Sequence, residues 1–114
     1  MARKLLFLLL ALTSCSKGPE ADLQYISEAR SLAAEWALVN EQAAQGHLTA
    51  AYAQTMRASI RDQLQSSAKS LTQPRAPYAA EVGAILSAPD DAPPATLRAH
   101  ASNLKRIEDQ LESD

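Results

Sequence analysis

Across residues 22–45 the apolar side chains Ile26, Ala29, Leu32, Ala33, Trp36, Val39 and Ala43 recur three or four positions apart among polar ones, a spacing that lines them up on one face of a helix. Glu20 and Asp22 lie where a helix start favours negative charge, and Gly46 follows as a left-handed stop. A second helix is predicted to begin near Thr49, whose hydroxyl can accept a bond from an unpaired amide. Its buried stripe reads Tyr52, Met56, Ile60, Leu64, Ser67 or Ala68, and Leu71. The connection is short, with His47 in the turn, so the two helices are expected to be antiparallel neighbours.

Pro74 and Pro77 then interrupt the pattern, because each removes an amide donor and restricts the residue before it. Pro77 can open a short helix that carries Tyr78, Val82, Ile85 and Leu86 and ends before Pro89. The stretch 88–94 holds three prolines and the pair Asp90 and Asp91, which reads as a loop with its acids ahead of the last helix dipole. That helix is predicted over 94–112. Leu97, Leu104 and Leu111 stand seven apart, with His100 and Ile107 between them, a heptad seam too short for a sustained coiled coil and suited to packing within the chain.

Composition selects among fold classes. From Cys15 onward alanine supplies 21 residues and the larger apolar types Leu, Ile, Val, Met, Trp and Tyr another 21. Alanine favours helix, β-branched residues are few and no run alternates as a strand would. The expected fold is all-α: a small antiparallel helical bundle of three long helices and one short helix over 22–114, after an N-terminal signal helix.

The opening residues carry a different message. Arg3 and Lys4 precede an apolar run over 5–12, which is less than half the roughly 20 residues a membrane-spanning helix needs. A basic flank, a short apolar stretch and small residues before a cysteine make an export signal. The tetrapeptide Leu12-Thr13-Ser14-Cys15 resembles the lipobox of bacterial lipoproteins. The resemblance implies that residues 1–14 are a signal peptide cut between Ser14 and Cys15, and that Cys15 takes a diacylglyceryl group and becomes the new N-terminus. Residues 15–21 then read as the lipidated cysteine and a tether that spans at most about 20 Å. Ser16 follows the cysteine in place of the aspartate that resembles an inner-membrane retention signal, so the outer membrane is the expected address. Cys15 is the single cysteine, which precludes an intramolecular disulfide.

Charge and motifs narrow the function. Of 11 Lys and Arg the leader removes Arg3 and Lys4, leaving nine cations against 13 Asp and Glu. Scattered cations in an acidic background argue against nucleic acid. His47 and His100 share no helix face, so neither a metal nor a cofactor is expected. Ser66-Ser67-Ala68-Lys69 formally spells the Ser-x-x-Lys of penicillin-recognising enzymes, but its partner motifs are missing. Trp36 is read as core, and Arg57 and Arg61 as a solvated face. The chain is therefore expected to be a non-catalytic envelope lipoprotein, structural or adaptor in role, held to the membrane by acyl chains on Cys15 and facing a protein partner. The alternative is a lipid-tethered binding or inhibitor protein for an envelope enzyme or small ligand, with a groove beside the short helix at residues 78–86.

Overall fold

The computed structural model describes residues 18–113, which form an all-helical domain of four helices with no strand among them. They are α1 (Pro19–Ala44), α2 (Ala50–Ser70), α3 (Pro77–Leu86) and α4 (Pro94–Ser113). Helix α1 packs on both α2 and α4, which do not pack on each other, and α3 touches all three. A helix with two neighbours needs a wide apolar face. In α1, Ile26, Ala29, Leu32, Ala33, Trp36, Ala37 and Val39 are all buried.

The helix ends follow local chemistry. Helix α1 starts at Pro19, ahead of the predicted Asp22, because a proline in the first turn gives up no needed donor and Gly18 supplies a φ of 90° before it. It closes with Gly46 at φ 79°, where the Gly46 amide bonds Ala43 and the His47 amide bonds Gln42, the two bonds of a Schellman stop. Thr49 caps α2 by accepting from the Tyr52 amide at 3.1 Å. Pro77 opens α3 and Pro94 opens α4 as expected.

Two buried stripes differ in part from the expected ones, although Ile60, Leu64 and Ser67 of α2 and Leu97 and Leu104 of α4 are buried as expected. In α2 the buried residues are Ala53, Ile60, Leu64 and Ser67, while Tyr52 is 54% exposed. The small Ala53 takes the buried position, which turns the neighbouring phenol to solvent. In α4, Leu97, Ala101, Leu104 and Glu108 are buried, and His100, Ile107 and Leu111 are only half-buried. The buried face is thus turned toward α1, whose Arg30 donates to the Glu108 carboxylate.

Candidate functional site

The end of the bundle that leads back toward Cys15 is organised around one buried carboxylate. Asp22 is fully buried. Its oxygens accept from the Thr72 amide at 2.9 and 3.0 Å, the Thr72 hydroxyl at 3.0 Å, the Gln73 amide at 3.3 Å and the Tyr78 hydroxyl at 2.6 Å. Thr72, Gln73 and Tyr78 all donate to it, so this side chain ties the 71–76 loop and the start of α3 to the first turn of α1. Burial of the ring, reinforced by the bond to Asp22, pushes the Tyr78 phenol well above its ordinary 10.0. The first-turn position of Asp22 suits the helix dipole as well, but its main partners come from fifty residues further along the chain.

The other end is closed by a second polar latch. Trp36, buried as predicted, donates its indole N–H to the Asp90 carbonyl at 3.0 Å. Asn40 donates to the Asp90 and Ala92 carbonyls and accepts from Arg57 Nε at 2.7 Å. Arg61 stacks 4.7 Å from the Trp36 ring and donates to the Leu86 and Ala88 carbonyls and to the Asp90 carboxylate. The expectation that Arg57 and Arg61 form a solvated face is therefore corrected. Arg61 reaches inward because the end of α3 and the loop after it offer the Leu86 and Ala88 carbonyls, which a continuing helix would have satisfied internally, and Arg57 reaches the Asn40 side-chain oxygen of α1. Asp90, likewise, serves Arg61 of α2 and not the dipole of α4.

Between α3 and α4, Glu81 accepts from His100 Nδ1 at 2.5 Å and from Asn103 at 3.1 Å. Next to this pair runs a groove of about 490 Å³, lined by Pro19, Ala76, Pro77, Tyr78 and Glu81 on one side and Asn103, Arg106, Ile107, Gln110 and Leu111 on the other. It lies beside the first half of α3; Val82 and Ile85 in the second half are core residues. His47 sits exposed in its turn and bonds Gln42. Among the described residues no group of His, Cys, Asp and Glu could hold a metal ion, and no helix is long and apolar enough to cross a membrane.

Ser14 and Cys15, the cleavage and lipidation residues, lie outside the described residues. Of the buried polar residues, Ser67 lies in the stripe expected for the second helix, whereas the burial of Asp22, Asn40 and Glu108 was not expected from the sequence, yet a signal was present. Each falls in register with an apolar stripe, as Asp22 does with Ile26 and Ala29, and a polar residue in register implies a partner waiting inside. Among the described residues every buried side-chain nitrogen and oxygen has one. Comparison with known protein families, characterised proteins and solved structures finds no match to this chain.

Proposed function

We propose that this chain is a bacterial envelope lipoprotein, an antiparallel bundle of three long helices and one short one held to a membrane through acyl chains on Cys15. The observation that carries the reading is the tetrapeptide Leu12-Thr13-Ser14-Cys15 at the end of an apolar run with a basic flank. Helix α1 begins at Pro19, four positions after Cys15, so its Asp22-clamped end would sit against the bilayer and its Trp36 latch would face away. Each buried methylene contributes about 0.8 kcal/mol, and two chains turn reversible contact into stable residence. A domain held this way gains local concentration toward envelope neighbours without a new contact. The role is structural or adaptor, through the helix surfaces, and the domain performs no chemistry of its own.

Cys15→Ala tests it. The variant should take up no radiolabelled palmitate and should move from the membrane pellet to the soluble fraction, whereas labelling or pelleting like wild type removes the reading. Crosslinking of intact membranes tests the adaptor role, which requires recurrent protein neighbours.

A further inference from the structure

We propose that the groove between the first turn of α3 and the last turns of α4 receives one acyl chain of the lipid on Cys15 whenever the protein is outside a bilayer. The inference rests on the anchor reading above and adds to it a place for the chain within the domain. Its first support is the apolar stripe of α4, which runs past the core. Leu97 and Leu104 are fully buried, but Ile107 and Leu111 further along are only half-covered and face the groove of about 490 Å³. Opposite them stand Pro77 and the Tyr78 ring, held in place by the bond from Tyr78 to Asp22. The clamp thus keeps one wall of the groove rigid.

The second support is reach. Pro19 is part of the groove wall, and Cys15 stands four residues before it, within about 14 Å even when the chain is fully extended. Ser16, Lys17 and Gly18 between them bring no apolar side chain that could fill the space. In the anchored chain the apolar matter within reach is the lipid itself. Of the polar lining, Glu81 is already engaged by His100 and Asn103, and the exposed Arg106 and Gln110 can keep their polar ends in water. Inside a bilayer the chain has an equally apolar surrounding and the groove has no advantage. In water the groove is the nearest place where part of the chain loses contact with solvent.

The test uses the full-length protein produced in bacteria fed a palmitic acid analogue that carries a photoreactive diazirine. The purified protein is transferred to detergent-free buffer, irradiated and mapped by peptide mass spectrometry. We expect label on Cys15 and intramolecular crosslinks concentrated in peptides covering 76–81 and 106–111, several-fold above those on the exposed face of α2. Ile107→Asp and Leu111→Asp, both at half-covered positions, should each cut these crosslinks several-fold with the label and the helical circular dichroism signal unchanged. Label on Cys15 with crosslinks spread evenly, or untouched by either substitution, overturns the groove assignment and leaves the anchor standing. No label on Cys15 overturns the anchor reading and this inference together.

Discussion

Replacing Asp22 with alanine removes the acceptor shared by four donors, and the consequence can be worked from where each donor sits. The Tyr78 hydroxyl is on a buried ring and loses the one partner it has. An unsatisfied buried group of this kind costs about 1–3 kcal/mol. Thr72 is exposed and Gln73 half-exposed, so their amides can return to water and each forfeits nearer the net value of an ordinary hydrogen bond, about 0.5–1.5 kcal/mol. The total is about 2–6 kcal/mol, a large part of the roughly 5–15 kcal/mol that holds a domain of this size together. In urea titrations followed by Trp36 fluorescence, the midpoint should fall with little change in slope. The melting temperature should drop by at least about 10 °C. A cycle with Tyr78→Phe sharpens the test. If the two side chains depend on each other, the double variant is less damaged than the sum of the singles by about 1–3 kcal/mol. A loss below about 1 kcal/mol for Asp22→Ala, or simple additivity with Tyr78→Phe, would refute the claim that this carboxylate organises the end of the bundle.

Further outcomes follow from other sites. Arg61→Lys should destabilise by about 1–2 kcal/mol and shift the Trp36 emission, because a single ammonium cannot serve three acceptors and stack on the indole at once; a solvated Arg61 would tolerate the change. The Tyr78 phenol is raised in the folded state, so its stabilising contribution is complete below pH 10.0 and is lost as pH climbs from there toward the higher folded value. Tyr78→Phe should accordingly be less stable than wild type at pH 7, with the gap narrowing in urea titrations above pH 10. Gly46→Ala and Gly83→Ala make the same chemical change with opposite sign. A Cβ meets nothing within 4 Å at either position, but Gly46 sits at φ 79°, so the first should cost about 1 kcal/mol and the second, inside α3, should gain about 0.5–1 kcal/mol in thermal melts.

Much of this domain was legible in the chain because helix boundaries are local events. A proline fits a first turn, Gly46 a left-handed stop and Thr49 a cap for reasons confined to a few residues, and all three appear where the local chemistry asks for them. The three-to-four spacing of Ile26, Leu32, Trp36 and their neighbours likewise determined the face that α1 buries. Register was less secure. Tyr52 and Ala53 are adjacent and both apolar enough to lie inside, and a stripe one position off differs by only a fraction of a turn.

What the sequence by itself determined, then, is the all-helical class, most of the helix ends and the burial of Trp36. Tertiary structure alone decided the partners of the polar residues. Asp22 reads as a dipole-compensating acid until the 71–76 loop folds over it, and Arg61 reads as a solvated cation until the Leu86 and Ala88 carbonyls come within reach. The reason is that a hydrogen bond is spent on whichever donor and acceptor the fold brings to about 3 Å, and for residues 25 to 56 positions apart no local pattern encodes that meeting.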